Sequence, residues 1–301
     1  MYNLSLYLIT VLIWGLTWIA IKFQLGVVAP EVSIAYRFIL ASAILFIFSI
    51  LRRLPLRFGW RSQLFFALQG LFLFSLNYIL VYNAELYLTS GLVAIIFSTV
   101  IFFNVFFGAI FLRNPIRFQV VLGAVIGLTG LFLVFGSELL SFDIADQKML
   151  GLVLAVLGVI SASLGNILSA RNQRNEMPVV QTNAYGMAYG AIYMLLLALI
   201  RRVEFNFDSS PDYLISLLYL ALFGSVIAFG TYLTLLGRIG PDRAAYVSVL
   251  FPIIALTVST MYEGLSWSPP QFIGVVLVLL GNVMVLSDIR GLFRRISFKK
   301  A

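Results

Sequence analysis

Cysteine and histidine are both missing from this 301-residue chain, and charge is scarce. Without cysteine there is no disulfide, no thiolate metal site and no thiol nucleophile. Without histidine, the commonest metal ligand and the commonest general base are gone. The phosphate-cradling P-loop pattern (Gly, four residues, then Gly-Lys-Ser or Gly-Lys-Thr) does not occur, which argues against ATP-driven pumping by this chain alone. No metal and no cofactor is therefore expected. Charged residues make up 11% of the chain, where about 25% is usual in soluble domains.

What is present is apolar. Hydrophobic residues are 61% of the chain, against about 45–50% in a soluble domain. The mean hydropathy is +1.03. A soluble fold of this size cannot cover itself with so little charge, so a soluble enzyme or a nucleic-acid binder is excluded. The composition implies a polytopic membrane protein. The net charge of +8 does not point to nucleic acid, because the positions of the charges follow membrane topology instead.

A helical span needs roughly 20 mostly apolar residues. Ten such stretches are read, over about 4–25, 32–51, 62–84, 90–112, 117–136, 149–169, 181–200, 212–236, 242–263 and 270–288. Turn or charge signals separate them, as at Val28-Ala29-Pro30-Glu31, Arg52-Arg53-Leu54-Pro55, Arg113-Asn114-Pro115, Gly237 to Arg243 and Ser268-Pro269-Pro270. The first span is too long for a signal-peptide core and lacks a basic start, so it stays as a helix.

With the N-terminus inside, the inner segments carry Arg52, Arg53, Arg57, Arg61, Arg113, Arg117, Arg171, Arg174, Arg238, Arg243, Arg290, Arg294, Arg295, Lys299 and Lys300, 15 of the 20 basic residues. Glu31, Glu85, Glu138, Asp143, Asp146, Glu204, Asp208, Asp212 and Glu263 then fall outside, 9 of the 12 acids. Lys/Arg bias sets orientation, so both termini are expected in the cytoplasm. The basic tail, Arg294-Arg295 to Lys299-Lys300, suits anionic lipid.

The two halves resemble each other. A shift of 148 carries Pro30 to Pro178, and a shift of 151 carries Gly123 to Gly274, Gly130 to Gly281 and Ser90-Gly91-Leu92 to Pro241-Asp242-Arg243. These offsets suggest a duplicated five-helix unit, 1–145 and 146–301. Five is odd, so the second copy sits upside down. The expected fold is all-α and membrane-embedded, with ten transmembrane helices as two inverted repeats and a substrate site between them near the midplane.

One set of residues resembles the EamA family of the drug/metabolite transporter superfamily. In the first half it comprises Trp14-Gly15, Lys22, Pro30, Arg37-Phe38, Ala41 and Ser90-Gly91-Leu92. In the second half it comprises Gly240-Pro241, Ala244-Ala245, Pro252, Glu263, Gly274 and Gly281. Order and spacing carry the likeness, which covers nearly the whole chain. It implies ten helices, a central cavity lined mainly by helices 1–4 and 6–9, and movement of small organic metabolites, often outward. It also implies a prokaryotic inner membrane. Two positions depart from the family pattern: Ile101 stands where a proline matching Pro252 is frequent, and Asn114 stands where glutamate is usual.

Several residues are candidates for the cavity or a gate. Lys22 and Arg37 sit one to two turns inside their spans, about 6–9 Å deep at 1.5 Å per residue. Arg or Lys at a span centre costs about 2.5–3.5 kcal/mol and calls for a partner. Glu31 and Glu85 lie toward the same side. The two cations either hold an anionic substrate group or outer gate, or snorkel and lock the first turn. Trp14, Trp18 and Lys22 form one stripe on helix 1. Trp60 and Trp267 lie at span edges, as belt residues do.

Helix 3 carries Asn77, and Tyr78, Tyr82 and Glu85 share one face. Helix 7 carries the ladder Tyr185, Tyr189 and Tyr193. Helix 4 adds Ser98, Thr99 and Asn104, and helix 6 adds Ser163 and Asn166. Each of these either lines an aromatic, hydroxyl-rich pocket or bonds a neighbouring helix. Pro252 leaves the Ser248 carbonyl without its helix bond, so helix 9 is a hinge or cavity wall there, with Tyr246 nearby. Gly123, Gly127, Gly130, Gly274 and Gly281 read as close-packing faces.

No Asp or Glu lies in the middle of a span, and proton relays normally use such groups. Facilitated diffusion or exchange is the expectation, with proton coupling open only through the acids at the outer ends, Glu31, Glu85 and Glu263. The leading reading is a secondary transporter exporting small metabolites such as amino acids by alternating access, with a small-molecule substrate and the lipid bilayer as its partners. An importer or exchanger is the alternative, and a homodimer is left open. A membrane enzyme is disfavoured because no carboxylate pair or metal motif appears at a membrane edge. A sensor or scaffold is disfavoured because there is no soluble domain.

Overall fold

The computed structural model describes residues 2–113, 115–116, 118–136, 147–239 and 247–286. Tyr246 lies outside the described residues, as do Asn114, Arg117, Glu138, Asp143, Asp146, residues 240–245 and the basic tail. Among the described residues every regular element is a helix. In chain order they are α1 (Tyr2–Lys22), α2 (Pro30–Leu51), α3 (Trp60–Ala84), α4 (Ser90–Leu112), α5 (Phe118–Val134), α6 (Gln147–Arg174), α7 (Val179–Ile200), α8 (Pro211–Leu235), α9 (Val247–Tyr262) and α10 (Pro269–Leu286). Seven are long and apolar enough to cross a membrane, and α5, α9 and α10 are shorter apolar helices.

Local chemistry sets the ends. Pro30, Pro211 and Pro269 stand at first helical positions, where the missing N–H costs no helix bond. α2 and α7 stop in the same way. Arg53 and Arg202 take left-handed φ values of 52° and 53°. The next amides, Leu54 and Val203, then bond back to the Ser49 and Ala198 carbonyls at 2.8 and 2.9 Å. α1 ends at Lys22, three residues short of the stretch read from hydropathy. The chain turns there through Gln24 N–H to the Ile21 carbonyl, and Gly26 follows at φ 129°. Lys22 is thus the last residue of its helix, where a cation suits the exposed carbonyls.

Two helices contain a wider π-type stretch, Phe72–Leu76 in α3 and Tyr219–Ile227 in α8. Such bulges shift the face that the following turn presents. α4 is interrupted at Ser98-Thr99 even though Ile101 replaces a proline. The Ser98 and Thr99 hydroxyls donate to the Ile95 and Ile96 carbonyls, competing with the helix ladder.

α1 packs on α8 and α9, and α6 packs on α3 and α4. α2 packs on α7, and α5 on α10. The α5–α10 crossing is backbone on backbone. A Cβ on Gly130 would meet the Gly274 carbonyl oxygen at 2.5 Å, and one on Gly281 would meet that of Gly123 at 2.5 Å. Neither neighbour is a side chain that can swing away. Gly130→Ala is therefore expected to push the helices apart at a cost of about 1–3 kcal/mol. The purified variant should melt several degrees below the native chain in detergent; an unchanged melting temperature would contradict this crossing.

Candidate functional site

The helices enclose a cavity of about 80 Å³. At roughly 10–15 Å³ per water it has room for several. Its wall is mostly aromatic and aliphatic. α1 supplies Trp14, Thr17, Trp18 and Ile21; α3 supplies Leu73, Asn77, Tyr78 and Val81 at and beyond its wide turn. α4 adds Phe97 and Val100, α6 adds Ala162 and Asn166, α8 adds Phe229 and Tyr232, and α9 adds Ser248 and Phe251. Arg37, from α2, is the one charged residue of the wall among the described residues.

Trp14 and Trp18 lie four residues apart on α1, so both rings leave the helix on one side. Trp18 stacks on Phe251 at 5.8 Å, and Trp14 meets Tyr232 at 4.9 Å and Phe229 at 5.4 Å. These contacts hold the indoles as rigid walls. Phe251 precedes Pro252, which lies inside α9. The Trp18 indole N–H and the Asn77 side-chain oxygen are buried without any hydrogen-bond partner. Buried groups of that kind cost free energy until something bonds to them, and both belong to the cavity wall.

Arg37 is 1% exposed. Its Nε donates to Ser225 Oγ at 3.0 Å, and its two terminal nitrogens donate weakly to Tyr82 at 3.5 Å and Tyr78 at 3.4 Å. The guanidinium also lies 4.5 Å from the centre of the Tyr78 ring. Among the described residues, no carboxylate comes within ion-pair distance of it. Ser225 belongs to the π-type stretch of α8, so that bulge aims its hydroxyl at the arginine. Among the described residues, all of Arg37's hydrogen-bond partners are neutral, while the guanidinium itself is a cation.

Lys22 lies outside the cavity wall. Its ammonium donates to the carbonyls of Glu85 and of Leu88 (2.8 Å) and pairs with Glu263 at 3.7 Å. Glu263 in turn accepts from the Ser90 amide, at 3.0 and 3.1 Å, and from its hydroxyl. Lys22 is therefore paired with Glu263, while Glu31 is paired with Arg201. Glu85 is fully buried, and neither of its carboxyl oxygens has a hydrogen-bond partner. Burial pushes the Glu85 carboxyl well above the usual range, against the pull of Lys22 and Arg37.

The other sequence candidates divide. Trp14, Trp18, Arg37, Asn77, Tyr78, Asn166 and Ser248 come together around the cavity. Tyr82 sits behind it, linking Arg37 to Gln24 at 2.8 Å. Ser163 and Asn166 both donate to Asn104, at 2.8 and 3.4 Å, joining α4 to α6. Ser98 accepts from Asn282, and Thr99 only bonds back into its own helix. Tyr185 donates to the Leu56 carbonyl at 2.6 Å and Tyr189 to Gln63 at 3.0 Å, away from the cavity. Tyr232, Phe229 and Phe251 are wall residues the sequence reading did not single out. Only the position of Phe251 beside Pro252 hinted at one of them.

Comparison with known proteins agrees with this architecture. A family model described as the EamA-like transporter family matches residues 1–136 and 149–287. An Escherichia coli protein described as an inner membrane transporter, YedA, is 27% identical over 278 residues, 91% of this chain and 87% of that one. Another Escherichia coli protein, described as a probable amino-acid metabolite efflux pump, is 25% identical over 286 residues, 92% of each chain. One solved crystal structure shares the fold at a TM-score of 0.69 and 18% identity, covering 94% of this chain and 95% of its own.

Proposed function

Because this chain belongs to the EamA-like transporter family, we propose that it exports a small organic metabolite across the inner membrane. The metabolite is an amino acid or a related compound bearing an acidic group, and it passes through the cavity beside Arg37. One observation carries this reading: a permanently charged guanidinium, 1% exposed, faces a cavity and has only neutral partners among the described residues. An anionic group in the cavity supplies what Arg37 lacks. The same ligand can accept from Trp18 and donate to Asn77. Membrane location draws support from the seven long apolar helices and from the relative described as an inner membrane transporter.

The mechanism is alternating access between two inverted five-helix repeats, 1–145 and 146–301, that together span the membrane ten times. The packing supports this symmetry. Under an exchange of the two halves, the contacts of α1 with α8 and α9 become those of α6 with α3 and α4. α2–α7 and α5–α10 each pair a helix with its own counterpart. The glycine contacts are reciprocal, Gly130 on Gly274 and Gly123 on Gly281, as a two-fold axis requires. The wide turns of α3 and α8 occupy corresponding places, and the Arg-Arg stops of α2 and α7 match. Both termini are cytoplasmic on the distribution of basic residues, so the Lys22 end of the bundle faces outward. There the Lys22–Glu263–Ser90 contacts tie α1, α4 and α9 together and form the outer closure.

The test is an extracellular metabolite profile by mass spectrometry, comparing cells that express the chain with empty cells. A class of acidic metabolites should accumulate outside only when the chain is present. No difference between the two would overturn the export reading.

A further inference from the structure

The buried acid beside the outer closure has no part in the cavity described above. Glu85 caps the end of α3, and its side chain is 0% exposed. Neither carboxyl oxygen accepts or donates a hydrogen bond. An ionised carboxylate stripped of both water and hydrogen bonds is too costly to persist; such a group takes up a proton instead. Lys22 does not remove the cost. Its ammonium is committed to the Glu85 and Leu88 backbone carbonyls and to Glu263, and it leaves the Glu85 carboxyl unpaired. Glu263, for its part, is engaged by Ser90.

We propose that Glu85 is a proton-binding site, and that its protonation closes the Lys22 end of the bundle over the cavity. The charged groups acting on it come from several elements. Lys22 on α1 and Arg37 on α2 favour its ionised form, and Glu263 beyond α9 favours its protonated form. Tyr82 is its titratable neighbour on α3. α6, packed along the same part of α3, carries exposed Lys148 in its first turn. Burial outweighs the two cations. The closed end therefore binds the proton more tightly than an open, hydrated end does. Closure is favoured at low pH and is lost as pH rises through the closed-state titration. Each closure then takes up one proton from the outer side and each reopening returns it there, so closure responds to the outer pH.

This inference rests on alternating access, but its test needs no substrate. The chain has no cysteine, so a single thiol is a clean reporter. Ser259 on α9 is fully buried with an unpartnered hydroxyl, and a Cβ on Gly91 of α4 would meet its Cβ at 2.8 Å. A thiol at Ser259→Cys reports whether α4 and α9 separate. Maleimide labelling of the reconstituted protein is followed from about pH 5 to about pH 9. Rates are normalised to a thiol at Val27→Cys, a position 65% exposed, which removes the thiol's own titration.

Normalised labelling should rise by about tenfold or more with pH. Glu85→Gln, a permanently neutral isostere, should stay slow throughout. Glu263→Gln should move the rise to lower pH. A flat native profile, a rise in Glu85→Gln like that of the native chain, or an unmoved rise in Glu263→Gln overturns the proposal. Metabolite export that persists alongside a flat profile removes the proton site and leaves the transporter reading in place.

Discussion

Arg37→Gln is expected to lower transport of the acidic substrate by about 30-fold or more while leaving the amount of folded protein unchanged or higher. Removing one member of a buried charge pair costs about 2–5 kcal/mol of binding, and 2 kcal/mol is about 30-fold. Stability moves the other way. The guanidinium is 1% exposed and, among the described residues, bonds only to neutral oxygens, so neutralising it relieves a cost. The hydroxyls left behind mostly keep other bonds: Tyr82 donates to Gln24 and Ser225 to the Leu220 carbonyl. Arg37→Lys keeps the charge but not the planar fork and should fall between the two, about tenfold down. Efflux rates from liposomes, set against size-exclusion yield, separate the two roles. A variant that folds poorly yet transports normally per folded molecule makes Arg37 a structural residue.

Asn166→Phe is expected to reduce transport to less than about a tenth of native. Asn166 lines the cavity from α6, and its amide makes only a long 3.4 Å bond to Asn104. A phenyl ring there fills a space of about 80 Å³. It also brings no clash into the close-packed core, because the site is half-buried and open to the cavity. The matched control is Tyr189→Phe. It removes a hydrogen bond to Gln63, neither residue lining the cavity, and should change transport by less than about twofold. Equal effects from the two substitutions would mean that the cavity is not the path.

Much of the helical layout was legible in the residues, because a membrane span needs one long apolar run and little else. The ends were less legible, since local turn chemistry decides them. α1 stops at Lys22 and α6 continues to Arg174, both set by a few polar residues. Within the candidate site, periodicity told which residues share a helix face but not where that face points. Trp14 and Trp18 turn toward the cavity, whereas Tyr185 and Tyr189, with the same spacing, turn toward Leu56 and Gln63. The partners of the key residues lie far away in sequence. Ser225 on Arg37, Tyr232 on Trp14 and Glu263 on Lys22 are contacts that only the packing of the two halves creates. The break in α4 was hidden as well, because Ser98 and Thr99 interrupt it in place of a proline.

The most direct measurement takes the acidic metabolite named by the export profile and loads it into liposomes containing the purified chain. Its efflux is compared with that of its neutral amide. If the cavity beside Arg37 is the transport site for an acidic group, the acid leaves in native liposomes, the amide is retained, and Arg37→Gln erases the difference. Equal efflux of acid and amide from the native protein would contradict that account.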